Sequence, residues 1–341
     1  MRQHNDHVGI VGYGVYFPEK TMSAADIAAA TNGVWTEEAV VGKLGIEKKH
    51  LPGKNDGTQE MGVKAALDAL ERTGTDPGDI DLILCMGEEW KEYPLTTSGI
   101  YIQEKIGARN AWAIDLQQRC CTTISALKIA KDMMLADDEI ETAMVVGGYR
   151  NGDFVDYTDK SMSMMYNLSA AGGALILKKN LGRNKVLGTH IMTDGSMARD
   201  AGVVYGGTEN PITCENVDKA YKSLTLMNGE HMKARLNEVS MDNWMLCIEK
   251  AFIKSGLPVS AMDYLAVLHF KRSMHHVMLE KLNLTENQST YLSHYGHAGQ
   301  IDQIISLHYG LESGKIKNGS VIAMIAAGIG YAWAASVIQW G

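Results

Sequence analysis

The stretch ALERTGTDPGDIDLILCM, residues 69–86, reads as the end of a helix, a glycine turn and a buried strand. The same pattern returns as AFIKSGLPVSAMDYLAVL at residues 251–268, with alanine, glycine and aspartate at equal offsets. Later, AMVVGG at 143–148 is echoed by AMIAAG at 323–328. A series of echoes in the same order predicts two structurally related halves, residues 1–180 and 181–341. The alternative is that helix–glycine–strand units look alike in any α/β protein.

Apolar runs alternate with helical windows on both sides of this stretch. Short buried strands between helices favour an α/β fold in which helices cover a sheet. The glycines and the proline between residues 12 and 18 predict that an interrupted segment, Gly12 to Pro18, follows the first strand. We predict strands at 8–11, 81–86, 111–116, 143–146 and 264–268, and helices at 58–73, at 97–106 and from about 122 onward.

Composition excludes several classes of protein. The chain of 341 residues is 45% hydrophobic with a net charge of −8, so it is globular and a poor candidate for nucleic-acid binding. It has no uninterrupted apolar stretch of about 18 residues and no basic leader followed by an apolar run, so we expect neither a membrane span nor a signal peptide. Five cysteines without CxxC spacing fit neither a disulfide framework nor a zinc site. We expect a cytoplasmic protein.

Cys120 is the candidate nucleophile. It follows a predicted strand and precedes a helix that begins near Thr122. A thiol at a helix N-terminus meets unpaired amides, which favour the thiolate. The alternative is that Cys120 and Cys121 are two small buried hydrophobes.

Two histidines are candidate partners of Cys120. His269 follows a strand in the second half, where an α/β sheet presents ligand-facing residues. His297 lies in a turn that the duplication matches to that of Cys120. A structural role is the alternative for each. His275, His276 and His294 lie near in sequence, but no carboxylate has zinc-motif spacing, so we expect no metal.

The segment Gly328-Ile329-Gly330 follows another buried strand. A glycine turn can aim a backbone N–H at a developing oxyanion, so these residues and the Cys120 amide are candidate oxyanion donors. The chain lacks a GxSxG motif, which argues against a serine hydrolase, and the GYG at 12–14 lacks dinucleotide-binding spacing.

These segments together resemble the thiolase superfamily, in particular ketoacyl synthase III. The resemblance rests on AIDLQQRC at 113–120, GIVGYGVYFPE at 9–19, KLGIEKKH at 43–50 and SAAGGALIL at 169–177, and it covers essentially the whole chain. It implies a five-layered αβαβα fold of two duplicated halves, a dimer, Cys120 as acyl-accepting nucleophile and His269 as a catalytic histidine. Where synthase III has a Gly-Asn turn, this chain has Gly296-His297.

A second resemblance concerns the loop MGEEWKEY at 86–93, which is similar to the loop of archaeal-type hydroxymethylglutaryl-CoA synthases. It implies that Glu89 is a general base, the alternative being a solvated loop charge. Tyr93 matches an aromatic residue that reaches toward the partner subunit. Trp35 and Lys43 match a substrate-binding segment in which Lys43 meets a coenzyme A phosphate.

Three hypotheses of function follow. The first is a 3-oxoacyl synthase III-like acyltransferase of lipid or polyketide biosynthesis, which joins acyl-CoA or acyl-carrier thioesters by Claisen-type condensation. The second is a non-decarboxylating reaction, hydroxymethylglutaryl-CoA synthase-like or another C-acyl transfer, with Glu89 as base. The third is a catalytically silent subunit of a hetero-oligomer. The resemblance implies no metal or redox cofactor, and partners limited to acyl-CoA, acyl carrier protein and a second subunit.

Overall fold

The computed structural model describes residues 7–220 and 224–341. The strands are β1 (Val8–Tyr16), β2 (Thr21–Ser23), β3 (Lys48–His50), β4 (Leu82–Met86), β5 (Trp112–Leu116), β6 (Thr142–Tyr149), β7 (Ala171–Lys179), β8 (Lys185–Thr193), β9 (Ala201–Val203), β10 (Leu224–Leu226), β11 (Tyr264–Val267), β12 (Val321–Gly328) and β13 (Ala332–Gln339). The helices are α1 (Ala24–Ala30), α2 (Glu37–Ala39), α3 (Thr58–Thr73), α4 (Ser98–Ile106), α5 (Thr122–Ala136), α6 (Val217–Ala220), α7 (Gly229–Ser255), α8 (Arg272–Lys281) and α9 (Asp302–Glu312).

Nine strands form one sheet in the order β11-β12-β13-β8-β1-β7-β6-β4-β5. Strands from residues 8–179 occupy one side and strands from residues 185–339 the other, and the two sides meet at the single pair Gly9–Lys185. On each side, two antiparallel pairings are followed by a parallel one: β1-β7-β6-β4 on the first side and β8-β13-β12-β11 on the second. The first side alone adds a further strand, β5, at its edge.

The echoed residues have matching structural roles. α3 ends at Gly74 with φ of 65°, and α7 ends at Gly256 with φ of 70°. Asp81 then accepts a hydrogen bond from the Thr142 backbone N–H at 2.9 Å, and Asp263 accepts one from the Val321 N–H at 2.8 Å. Each aspartate therefore ties the residue before its own strand to the start of the neighbouring parallel strand.

Two helices, α5 and α9, are sandwiched between the two groups of strands, and two others, α3 and α7, cover their outer faces. α5 packs against β4 and β6 of the first side and β8 and β13 of the second, and α9 likewise packs against β1, β7, β11 and β12. α3 covers the outer face of the first side and α7 that of the second. The arrangement is αβαβα, and the predicted α/β class is confirmed. No helix in residues 7–220 and 224–341 is long and apolar enough to cross a membrane.

The prediction that the first strand ends before the glycine- and proline-containing stretch 12–18 was wrong, because β1 continues to Tyr16. Gly14 is not a turn residue. A Cβ added there would lie 2.1 Å from the Ala65 carbonyl oxygen of α3. The glycine therefore lets α3 lie directly on the strand.

Candidate active site

The nucleophile loop connects β5 to α5. After Gln118, residues Arg119–Cys121 form one tight helical turn that runs straight into α5, and Arg119 has the left-handed φ of 51°. Cys120 is thus at the start of a continuous helical segment, where backbone N–H groups have no intrahelical acceptor. The segment points these donors, and the positive end of the α5 dipole, at the Cys120 region.

The two adjacent cysteines differ in their surroundings. Cys121 is fully buried, and its Sγ lies 3.6 Å from the Ala332 carbonyl oxygen. Burial raises the pKa of the Cys121 thiol well above its ordinary value, so Cys121 stays protonated. Cys120 is only partly buried and has a basic partner. The alternative of two inert buried thiols therefore applies to Cys121 alone.

Cys120, His297 and Asp302 form a continuous chain of contacts. The Cys120 Sγ lies 3.2 Å from Nε2 of His297, and Nδ1 of the same ring lies 2.6 Å from Oδ2 of Asp302. These are the distances at which a nucleophile, a base and an orienting carboxylate operate together. Cys120 lies in the loop before α5, whereas His297 lies in the loop before α9.

The Asp302 carboxylate is fully buried, yet it has three donors. Oδ2 accepts from the His269 backbone N–H at 2.8 Å as well as from His297, and Oδ1 accepts from the Ala298 N–H at 2.8 Å. A buried carboxylate with three donors is held in one orientation. It therefore fixes the proton of His297 on Nδ1 and leaves Nε2 facing the sulfur.

His297 favours the charged form. Burial works against protonation, but the Asp302 carboxylate and the Cys120 sulfur outweigh it and raise the pKa of His297 well above its ordinary value. A ring of this kind takes the proton of the thiol and stabilises the thiolate that results.

His269 has the opposite character. Its Nδ1 lies 3.0 Å from the Asn167 amide nitrogen, and its Nε2 lies 3.3 Å from the Gly45 carbonyl oxygen. A carbonyl only accepts, so the proton of the neutral ring is on Nε2. Burial lowers the pKa of His269 to about 4, despite the opposing effect of Asp302. Both ring nitrogens of His269 contact residues other than Cys120. The His269 backbone N–H bonds Asp302, and Asp302 in turn bonds His297, which contacts the Cys120 sulfur.

The predicted substrate-binding segment borders this site. Trp35 packs edge-on against Tyr166, with ring centroids 6.1 Å apart, and Lys43 is exposed. The segment that contains Lys43 ends at Gly45, which contacts His269, and it packs against α8. Trp35 and the segment of Lys43 therefore lie near two residues adjacent to the histidines: Tyr166, which precedes Asn167, and Gly45, which contacts His269.

Two adjacent glutamates point in different directions. Glu89 is 72% exposed and pairs with Arg119 at 3.2 Å. Glu88 is buried, accepts from the Asn151 amide at 3.1 Å and lies 3.9 Å from Arg119. Burial raises the pKa of Glu88, against the lowering effect of Asn151 and Arg119. Sequence reasoning singled out Glu89, whereas the structure places Glu88 in the interior.

The glycine turn predicted to supply oxyanion donors contacts the nucleophile loop. A Cβ on Gly328 would lie 3.1 Å from the Cys120 backbone nitrogen. Ile329 and Gly330 border a cleft of about 270 Å³. This cleft is also lined by polar residues of the nucleophile loop and the facing segment, Gln117, Gln118, Arg119 and Thr193.

The three other histidines that lie near in sequence each contact a different residue. His275 bonds Ser289, His276 pairs with Glu286, and His294 pairs with Glu47. Among the residues that the structure describes, no group of three or more His, Cys, Asp or Glu is arranged to hold a metal ion.

Sequence reasoning missed Asp302, Asn167 and Glu88. Asp302 follows His297 by five residues, and the motif HAGQID contained the only available signal. Asn167 lies 102 residues from His269 and belongs to no recognisable motif.

Comparisons with known proteins agree with this architecture. The family model described as 3-Oxoacyl-[acyl-carrier-protein (ACP)] synthase III matches residues 114–195, and the model of its C-terminal part matches residues 252–340, together half of the chain. A beta-ketoacyl-[acyl-carrier-protein] synthase III of Sulfurovum sp. is 25% identical over 333 residues, 96% of this chain and 94% of that protein.

Solved structures show the same fold. The 3-oxoacyl-[acyl-carrier-protein] synthase III of Aquifex aeolicus superimposes with a TM-score of 0.81 at 21% identity, over 98% of this chain and 100% of that one. The priming beta-ketosynthase of the R1128 polyketide pathway gives 0.83 at 20% identity, over 98% and 96%. The fold and the matched models define an enzyme of the thiolase superfamily, in the class of condensing acyltransferases. Within it, the chain belongs to the 3-oxoacyl-[acyl-carrier-protein] synthase III family, and the predicted resemblance is confirmed.

Proposed function

We propose that this enzyme joins two acyl thioesters by Claisen-type condensation through an acyl group bound to Cys120. The observation that carries the proposal is the 3.2 Å contact between Cys120 Sγ and a His297 ring held by Asp302. Related proteins named beta-ketoacyl-[acyl-carrier-protein] synthase III support the reaction class.

Acylation begins when His297 takes the Cys120 proton at Nε2. The thiolate attacks the thioester carbonyl, and the tetrahedral oxyanion is held by the Cys120 N–H and the turn at Gly328–Gly330. The carrier thiolate leaves with the proton from His297. Cys120 is then acylated, and the charge on its sulfur is gone.

Condensation requires a carbanion from a second thioester. In a decarboxylating reaction the donor loses CO₂, and its thioester oxygen bears the enolate charge. We assign the Nε2–H of His269 to that oxygen: burial keeps the ring neutral with its proton on that atom, and the substrate oxygen replaces the Gly45 carbonyl, at 3.3 Å, as its acceptor. The carbanion attacks the acyl carbon, the C–S bond to Cys120 breaks, and the thiolate is restored.

A second candidate is the reaction without decarboxylation, in which a carboxylate removes a proton from the donor. Glu88 favours it, because a buried carboxylate with a raised pKa has the basicity that such a step requires. Glu89, the residue singled out by its motif, remains the alternative base.

The substrates of either reaction are acyl-CoA or acyl-carrier thioesters. We assign Trp35 and Lys43 to substrate binding, as the family resemblance implies, with the exposed ammonium of Lys43 meeting a phosphate of the carrier. Every step uses groups of this chain and its substrates, so the proposal includes no resident metal or redox cofactor.

The proposed assembly is a homodimer joined along β5. This strand is the edge of the sheet, and its Trp112 and Ile114 are 47% and 42% exposed. An unpaired apolar edge strand pairs readily with a second copy. Tyr93 and Leu95 lie in the loop between β4 and α4 and are 69% and 103% exposed, and we assign them to the contact with the partner subunit.

We also propose that residues 1–180 and 181–341 are halves of a duplicated unit. The repeated strand order and the matching bonds of Asp81 and Asp263 support this.

Intact-mass spectrometry with a panel of acyl-CoAs tests the central proposal. One acyl group should be added to the wild type and none to Cys120→Ala, and a malonyl thioester should then release a 3-oxoacyl product. Cys121→Ala is the matched control and should acylate like the wild type. If Cys120 accepts no acyl group, while a co-purified partner chain does, the silent-subunit hypothesis replaces this proposal.

A further inference from the structure

His297 has a capability that a side-chain amide at its position would lack: it can accept a proton beside the acylated sulfur. Its Nδ1 proton is committed to Asp302, so the neutral ring presents the Nε2 lone pair to Cys120. His269 presents a proton instead. The site therefore contains one base and one donor, with the base in direct contact with the sulfur.

A decarboxylating condensation has no use for that base once the cysteine is acylated. Loss of CO₂ forms the carbanion without proton removal, so hydrogen-bond donors suffice. A base beside an acyl-cysteine serves a different nucleophile, one that must lose a proton as it attacks. Nucleophile–histidine–carboxylate sets on unrelated folds use this arrangement to pass acyl groups to water or to alcohols.

We propose that acyl-Cys120 also transfers its acyl group to a hydroxyl nucleophile, water or an alcohol, with His297 as general base. The proposal rests on the proposed function, because both fates share the acyl-enzyme. The hydroxyl oxygen bonds to the acyl carbon while its proton passes to Nε2. The C–S bond then breaks, His297 returns the proton to Cys120, and a carboxylic acid or an ester is released.

Acylation prepares the ring for this step. The Cys120 sulfur is one of the groups that raise the pKa of His297, together with Asp302 and against burial. A thioester sulfur is uncharged, so this contribution disappears when the acyl-enzyme forms. The pKa of His297 then falls, and the neutral ring becomes available as a base when the hydroxyl compound arrives.

The surroundings of the loop suit a polar acceptor. Cys120 is partly exposed, and the cleft of about 270 Å³ beside the loop is lined by Gln117, Gln118 and Arg119 together with Thr193. Amide, hydroxyl and guanidinium groups bind hydroxyl compounds by hydrogen bonds. Ile329, Tyr331 and Ala332 line the same cleft, so an alcohol with an apolar portion also fits its chemistry.

The test is a single-turnover measurement. The enzyme is acylated with acetyl-CoA and desalted, and the acetyl-Cys120 mass is followed without a malonyl thioester, with and without glycerol. We expect decay with release of acetate, and an acetyl ester of glycerol when it is present. His297→Asn keeps a donor and loses the base, so its acyl-enzyme should decay about 100-fold more slowly.

Two references complete the design. The acylated wild type unfolded in urea gives the rate of uncatalysed decay, which should be about 100-fold slower than the decay of the folded enzyme. This comparison does not depend on whether His297→Asn folds. Gly182→Ala is the surface control, because a Cβ added there meets nothing within 4 Å. An acyl-enzyme that condenses with a malonyl thioester but decays no faster folded than unfolded would overturn this inference alone. Failure to form acyl-Cys120 would overturn the proposed function as well.

Discussion

The Asn167 side-chain nitrogen lies 3.0 Å from Nδ1 of His269, and the Asn167 backbone carbonyl accepts from the His297 N–H at 2.8 Å. One residue thus contacts both histidines. Its neighbours Tyr166 and Leu168 are anchored by the buried Lys49, whose Nζ donates to their carbonyls at 2.6 and 2.7 Å. Asn167 is therefore a positioning residue, which supplies a donor to Nδ1 and keeps the His269 proton on Nε2.

Replacing Asn167 with aspartate should reverse this proton arrangement. A carboxylate accepts from Nδ1, so the ring proton moves to Nδ1 and Nε2 loses its donor function. We expect condensation to fall about 10-fold or more, while acylation of Cys120, which relies on His297, changes little. The pH profile of condensation should also shift, because a carboxylate raises the pKa of His269. Equal losses in both steps, without a pH shift, would mean that Asn167 only supports the fold.

Glu88 and Glu89 form a natural matched pair for the non-decarboxylating reaction. If that reaction operates, Glu88→Gln should leave acylation intact and reduce condensation with a non-malonyl donor about 100-fold or more. Glu89→Gln should have little effect, because its charge is 72% exposed and paired at the surface. Single-turnover mass spectrometry separates the two steps. The reverse ranking would restore Glu89 as the base, and two active variants would exclude a glutamate base.

A Cβ at position 328 should displace the nucleophile. It would lie 3.0 Å from the Gln118 carbonyl oxygen and 3.1 Å from the Cys120 nitrogen, tighter than ordinary contacts. For Gly328→Ala we expect acylation to slow about 10-fold or more, because small shifts in a reacting geometry have large effects on rate. Gly182→Ala is the control, since a Cβ there meets nothing within 4 Å. Acylation rates and circular dichroism of both variants check this; an unchanged rate for Gly328→Ala would contradict the oxyanion role of this turn.

The elements with strong local patterns were predictable from the sequence. The predicted helix 58–73 coincides with α3, and Cys120 lies at the predicted strand-to-helix turn, because apolar periodicity and chain order act locally. The stretch 12–18 was misread because the sequence alone does not distinguish a glycine that lets a helix pack closely on a strand, as Gly14 does, from a glycine that forms a turn. The sequence also could not tell which of Glu88 and Glu89 is buried, because two adjacent identical residues differ only in their surroundings in the folded protein.

The β5 edge should control the oligomeric state. Ile114→Lys places a charge on the 42% exposed apolar edge, so a dimer joined there should dissociate. Ile253→Lys on α7 is the control, since Ile253 is 59% exposed and lies on the opposite outer layer. Light scattering after size-exclusion chromatography measures the mass of each variant. A dimeric Ile114→Lys would exclude this edge as the interface, and a monomeric wild type would exclude the dimer.

Two buried histidines make the fold sensitive to acid. Burial lowers the pKa of both His269 and His275 to about 4, from the ordinary value of 6.5. Between these two pH values the unfolded chain binds protons that the native chain does not, so the free energy of unfolding falls as the pH drops. Each histidine contributes at most about 3 kcal/mol to this loss. His275→Gln should flatten the decline in urea-unfolding free energy from pH 7 to pH 4.5. Parallel curves for the variant and the wild type would show that His275 is protonated equally in both states and that the decline arises elsewhere.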